Sequence, residues 1–171
     1  AAGERTSYSH DAEGNLTSIT SPSGATESMA YDMRGYLTSL TTPSGATSRY
    51  DYDELGRMLE KSYDASSLDG AMYSYDAEGR VVSRTDACGQ ATYAYDGAGR
   101  LTSETDGFGQ TLAYSYDDAG DLASITYPDG GRVAYAYDAS GRMSSVESDE
   151  GAYAYSYDDA GRPVSLAHPD G

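Results

Sequence analysis

The stretch VAYAYDASGRM, residues 133–143, sets two tyrosines at alternate positions ahead of an aspartate, with a glycine three residues after the aspartate and an arginine directly behind it. In an extended chain, Tyr135 and Tyr137 stand on one face, which is the period of a strand and not of a helix. Asp138, Ala139, Ser140 and Gly141 match a type I turn. Asp comes first, where its carboxylate accepts from backbone N–H groups ahead, and Gly last, where a left-handed backbone lets a second strand depart. The stretch therefore encodes a β-hairpin.

The hairpin recurs along the chain. Asp stands at 11, 32, 53, 76, 96, 117, 138 and 158, and a Gly follows three residues later each time, predicting turns at 11–14, 32–35, 53–56, 76–79, 96–99, 117–120, 138–141 and 158–161. Tyr precedes seven of these (Tyr31-Asp32, Tyr52-Asp53, Tyr75-Asp76, Tyr95-Asp96, Tyr116-Asp117, Tyr137-Asp138, Tyr157-Asp158), and His10 takes its place before Asp11. The turn glycines are Gly14, Gly35, Gly56, Gly79, Gly99, Gly120, Gly141 and Gly161, and Arg follows in five copies: Arg57, Arg80, Arg100, Arg142 and Arg162. Return strands such as RLTSET (100–105) and DLASIT (121–126) carry Thr, Ser and aliphatic side chains, as strands tolerate. They end at second breakers such as SPSG (21), TPSG (42), TDGFG (105), YPDGG (127) and HPDG (168).

About twenty residues thus hold two strands and two turns. The predicted fold is all-β, an antiparallel, solenoid-like ribbon of about eight consecutive hairpins with essentially no helix, forming a single repeat region over 1–171. The third copy is longer by two through SYDASSLDG (62–70), which reads as a loop insertion on the second edge. Tyr63-Asp64 has no Gly three residues on and predicts no turn.

Composition points the same way. Leu, Ile, Val and Phe together number 18 of 171 residues, and the formal charge is -17, which would suit a disordered acidic chain but for 18 tyrosines able to bury large rings. One Lys and ten Arg against 28 acidic residues argue against nucleic acid as a partner. No apolar run is long enough for membrane insertion, and the first residues lack a signal-peptide pattern, which fits a piece of a larger protein. Cys88 is the one cysteine, so no internal disulfide or multi-cysteine metal site is expected, and Ala87 and Gly89 place it in a turn.

Candidate chemistry gives way to the repeat. DYDELG (51–56) begins like a calcium loop, but Leu55 stands where an oxygen ligand belongs and Ser62 holds the twelfth position. His10 and His168 lie at opposite ends with no nucleophile elbow nearby, and Asp117-Asp118 and Asp158-Asp159 are turn residues rather than a spaced acid–base pair. No catalytic, metal or cofactor residue is assigned, and the chain is read as not an enzyme. The recurring arginines are expected to pair with aspartates of neighbouring hairpins across the ribbon. Apolar residues three apart in the return strands, Leu122 and Ile125 or Leu37 and Leu40, are expected on both faces, which leaves the covered face undecided.

The units YDELGRM (52), YDAEGRV (75), YDGAGRL (95) and YDASGRM (137) resemble the YD repeat of the RHS (rearrangement hotspot) family, with relatives in insecticidal toxin complexes and teneurins. Departures from the pattern fall at His10, Asn15, Tyr36, Asp121 and Pro163. The resemblance implies a β-ribbon spiralling into a hollow shell of a secreted or surface protein, non-catalytic itself, which encloses or displays a C-terminal toxin or effector domain. The family's D-P-x-G-L core sequence does not occur here, so no self-cleavage is assigned. The implied partners are neighbouring YD repeats of the parent chain and an enclosed effector, with edge-to-edge self-association of the isolated piece. The alternative is a Tyr-rich module binding cell-surface or cell-wall glycans, stacking sugars on exposed rings.

Overall fold

The computed structural model describes residues 5–64 and 66–168. Among them the chain is an all-β antiparallel sheet without helix, in which hydrogen-bonded neighbours follow sequence order. Its strands are β1 (Ser7–His10), β2 (Leu16–Thr20), β3 (Thr26–Tyr31), β4 (Leu37–Thr41), β5 (Thr47–Tyr52), β6 (Met58–Tyr63), β7 (Ser66–Tyr75), β8 (Val81–Asp86), β9 (Gly89–Tyr95), β10 (Leu101–Thr105), β11 (Thr111–Tyr116), β12 (Leu122–Thr126), β13 (Arg132–Tyr137), β14 (Met143–Ser148), β15 (Gly151–Tyr157) and β16 (Pro163–Ala167). The backbone forms two compact units, residues 1–90 and 91–171. In the first, each strand from β1 to β8 pairs with the next. In the second, the same succession runs from β9 to β16.

The opening stretch folds as its residues dictate. Asp138 N–H donates to the Arg142 carbonyl (2.8 Å) and Gly141 N–H to the Asp138 carbonyl (2.9 Å), while Asp138 Oδ1 accepts from the N–H groups of Ser140 (2.8 Å) and Arg142 (3.1 Å). Gly141 has φ 74°, the left-handed region that a side chain disfavours. The same two backbone bonds close all eight Asp-x-x-Gly turns. The second breakers Ser21–Gly24, Thr42–Gly45, Asp106–Gly109 and Tyr127–Gly130 close in the same way. The breaker at 168 runs beyond the described residues.

Each Asp-Gly hairpin also carries a bulge, which corrects the expectation of two mixed faces. The register steps by one between Ala136 and Tyr137, so Tyr137 pairs with Met143 and Tyr135 with Val146. Directly paired residues share a face, and the extra residue of the bulge absorbs the odd spacing between 143 and 146. Likewise Tyr116 pairs with Leu122 and Tyr114 with Ile125, and Tyr31 pairs with Leu37 and Met29 with Leu40. Tyrosines and aliphatics therefore occupy one face. The opposite face carries small polar residues, with hydroxyl pairs Ser74–Ser83 (2.7 Å), Ser115–Ser124 (2.7 Å) and Ser156–Ser165 (2.6 Å).

A single layer cannot enclose a core. Among the described residues no apolar side chain is buried, and Ser124, 4 % exposed, is the one buried residue. The tyrosines that precede the turn aspartates are half-buried: in β15, Tyr153, Tyr155 and Tyr157 alternate with exposed Ala152, Ala154 and Ser156.

The insertion at 62–70 is not a loop. It lengthens β7 to ten residues from Ser66, and Tyr63 at the end of β6 stands opposite Ser66. The register shifts between Lys61 and Tyr63, so the added residues are taken up as a bulge in the β7 arm of the hairpin. Asp64 makes no Asp-Gly turn, and its N–H donates to the Thr47 carbonyl (3.0 Å) while its carboxylate takes Arg49 (2.9 Å).

Candidate functional site

The recurrent feature is a ladder of turn aspartates, arginines and rings along the Asp-Gly edge. Each motif Arg closes back on the Asp of its own turn: Arg57 Nε to Asp53 Oδ2 (2.6 Å), Arg80 to Asp76 (2.7 Å), Arg100 to Asp96 (2.7 Å), Arg142 to Asp138 (2.7 Å) and Arg162 to Asp158 (2.7 Å). This corrects the expected pairing with a neighbouring hairpin's carboxylate. The five-residue turn brings Cα atoms four apart close together, so the guanidinium meets its own carboxylate first. One carboxylate thus accepts from two backbone N–H groups and a guanidinium, filling both oxygens.

That arrangement holds the turn carboxyls below their ordinary range. At Asp138 the largest cause is the Arg142 side chain, followed by the Arg142 N–H. At Asp96 and Asp158 the backbone N–H of the following Arg leads and its side chain comes next. At Asp53 and Asp76 partial desolvation is the largest influence and pushes upward, but the combined donors of Arg57 and Arg80 outweigh it.

The arginine's other edge reaches the next repeat. Arg57 Nη1 donates to the Asp76 carbonyl (3.2 Å) and Arg142 Nη1 to the Asp158 carbonyl (3.5 Å). The same guanidinium lies over the next repeat's motif ring: Arg57 over Tyr75 (4.8 Å), Arg100 over Tyr116 (4.6 Å) and Arg142 over Tyr157 (4.7 Å). A planar fork with donors on several edges and a flat face can do all three at once, which an ammonium cannot. The tyrosines answer in the opposite direction. The hydroxyls of Tyr31, Tyr75, Tyr116, Tyr137 and Tyr157 donate to the carbonyls of Leu16 (3.0 Å), Met58 (2.7 Å), Leu101 (2.8 Å), Leu122 (3.1 Å) and Met143 (2.8 Å), each in the preceding repeat.

Irregular copies keep the ladder by other means. Asn15 bonds Asp11 through its N–H (2.8 Å) and its amide (3.0 Å). In the second copy Arg34, inside the turn, replaces the missing arginine: its Nε takes Asp32 Oδ2 (3.0 Å) and its Nη1 the Asp53 carbonyl (2.8 Å). Tyr36, in the arginine position, stacks on Tyr52 with centroids 5.2 Å apart. Sequence reasoning missed Arg34. The signal was an Arg two residues after Asp in a copy lacking one after Gly. In the sixth copy Asp121 N–H donates to Asp117 Oδ1 (2.9 Å).

The other candidates sit at turns and edges. Leu55 N–H donates to Asp53 Oδ1 (2.9 Å), so DYDELG is a turn. Cys88 is exposed between β8 and β9, its N–H on Asp86 Oδ1 (2.8 Å). His10 pairs with Leu16, and His168 packs edge-on against Tyr153 (5.4 Å). Among the described residues no cluster of three metal-ligating side chains forms.

Residues 49–151, more than half of the sequence, match the model of the teneurin YD-shell. The chain belongs to the YD-shell family. Residues 1–26 of this YD-shell chain also match the RHS repeat. No curated protein sequence matches it. In fold it is similar to the crystal structure of TcdB2-TccC3, with 17% identity, a TM-score of 0.53 and coverage of 95% of this chain and 12% of that one. It is also similar to a Tc holotoxin pore of Photorhabdus luminescens, with 14% identity, a TM-score of 0.53 and coverage of 95% and 14%. The YD-shell chain therefore spans about an eighth of the length of the structures it matches.

Proposed function

We propose that the chain is a non-catalytic wall segment of a YD/RHS shell that encloses or displays a C-terminal toxin or effector domain of a larger secreted or surface protein. The observation that carries this reading is the direction of the ladder bonds. Arg34, Arg57 and Arg142 donate forward to the next repeat, and the hydroxyls of Tyr31, Tyr75, Tyr116, Tyr137 and Tyr157 donate back to the previous one, while no apolar side chain among the described residues is buried. Such a unit is stabilised by its neighbours and extends as a wall. The motif residues from Tyr31 to Arg162 are structural, and the eight copies act as one repeat region.

The test uses the longer protein. Limited proteolysis is expected to spare the segment behind the repeats, and Arg→Ala changes along the ladder should expose it. Equal cleavage of that segment with the ladder intact and broken would count against enclosure. The isolated chain is proposed to associate edge to edge, because strand edges present unpaired N–H and C=O groups. A monodisperse monomer by light scattering at high concentration overturns that part. Glycan stacking on the motif rings is disfavoured, because the rings of Tyr75, Tyr116 and Tyr157 already carry a guanidinium on one face.

A further inference from the structure

One register position on the Tyr face departs from the packing of the repeat. The residue opposite the first Tyr-face position of each hairpin, a Tyr in seven copies and Met29 in the second, is Ile19, Leu40, Ile125, Val146 or Leu166 in five copies, but Lys61, Arg84 and Glu104 in three. Lys61 lies over the rings of Tyr50 (5.6 Å) and Tyr63 (5.1 Å), and Arg84 is ion-paired with Asp86. Those two cations have local partners. Glu104 puts a carboxylate where five other copies pack hydrocarbon, and the Tyr114 hydroxyl donates to its Oε1 (2.9 Å).

Glu104 lines a concavity of about 510 Å³ in the second unit, a size that suits small-molecule sites. Tyr93, its cross-strand partner on β9, stands on one side, and Leu112, its partner on β11, on the other. Tyr127, 41% exposed, and Pro128 close the far end beyond β12, with Asp106 on the rim. No basic side chain lines it.

We propose that this concavity binds a small organic cation with an apolar body, an arylalkyl- or alkylammonium, its head between Glu104 and the Tyr93 ring and its body over Leu112 toward Tyr127. Directly paired residues have Cβ atoms about 5 Å apart, so a head group on Glu104 lies within cation–π reach of Tyr93. Two strand spacings, about 10 Å, separate Glu104 from the strand leading to Tyr127, which sets the length of the body. A net charge of -17 attracts the cation to the chain as a whole.

The test is a protein-observed NMR titration of the full chain with 2-phenylethylammonium, 2-phenylethanol and methylammonium. Saturable shifts at residues 91–93, 104–106 and 112 are expected for 2-phenylethylammonium in the millimolar range, with the neutral and the truncated probe about tenfold weaker or worse. Glu104→Gln should weaken 2-phenylethylammonium about tenfold and Tyr127→Ala several-fold, with unchanged circular dichroism. Equal binding of 2-phenylethanol, an unaltered affinity in Glu104→Gln, or no saturable shift with any probe overturns the proposal. Should Glu104→Gln fail to fold, the charged and neutral probes compared on the unaltered chain decide it.

Discussion

The Arg142 guanidinium lies 4.7 Å from the centroid of the Tyr157 ring while its Nε holds Asp138 at 2.7 Å, so one side chain closes its own turn and covers the next repeat's ring. The ring contact contributes about 0.5–1 kcal/mol by the usual strength of exposed cation–π pairs. A double-mutant cycle of Arg142→Ala and Tyr157→Leu, read by chemical denaturation, should return a coupling of that order. Arg142→Lys should recover only part of it, since an ammonium cannot grip the carboxylate while lying flat on the ring. Additive effects of the two single changes would remove the ladder as a link between repeats.

The turn glycines divide by what surrounds them. A side chain at Gly141 meets open space but must adopt φ 74°, a cost of about 1–2 kcal/mol. At Gly56, with φ 79°, a Cβ would also run into the Tyr36 hydroxyl. Gly141→Val is therefore expected to raise hydrogen exchange locally, around residues 133–147. Gly56→Val should cost more, and Tyr36→Ala should relieve the excess. Equal melting temperatures for the two valine variants would refute the clash.

Much of this fold was legible because one signal was repeated eight times. Tyr at i and i+2 with Gly three after Asp specifies the hairpin locally, and the period specifies that hairpins follow one another. The faces were not legible, because the bulge that gathers Leu122 and Ile125 beside Tyr116 and Tyr114 is a register step, which simple alternation cannot encode. The arginine's partner is hidden from the sequence for a related reason. Strand periodicity points to a cross-strand partner, whereas Arg142 sits four residues from Asp138 across a turn that brings them together. Glu104 is silent in the sequence because its meaning lies in what stands at the same register in other copies.

The motif hydroxyls stitch each repeat to the one before. Tyr137→Phe keeps the ring and removes one donor to the Leu122 carbonyl (3.1 Å), which is expected to cost about 0.5–1.5 kcal/mol. Tyr116→Phe, whose bond to Leu101 is 2.8 Å, should cost a similar amount. Tyr155→Phe, at the first aromatic position of its hairpin, serves as the comparison. Matching urea midpoints for Tyr137→Phe and the unaltered chain would mean that the ring alone carries the link.

Acid should loosen the ladder. The carboxyls of Asp53, Asp76, Asp96, Asp138 and Asp158 are held below their ordinary value in the folded chain, so the folded state binds fewer protons than the unfolded one as pH falls past that value. Their contribution is complete above the ordinary carboxylate range near about 4 and is lost below it. Thermal melts should be flat near neutrality and fall steeply under about pH 4, with a shallower fall in Asp138→Asn. A melting temperature unchanged across the acid range would sink the idea.

At the alkaline end the sign reverses, and Tyr114 reports it. Desolvation first, and then the hydrogen bond to the Glu104 carboxylate, push its phenol up to about 12. A raised phenol pKa means that the folded chain retains a proton which the unfolded chain surrenders near about 10. The stabilisation is therefore full below that pH and disappears as pH rises toward the folded value. Ultraviolet titration of the phenolates should contain one late step that Tyr114→Phe deletes and Glu104→Gln moves downward. Loss of the late step in Tyr114→Phe without any movement in Glu104→Gln would assign the shift to desolvation alone and detach Glu104 from the ring.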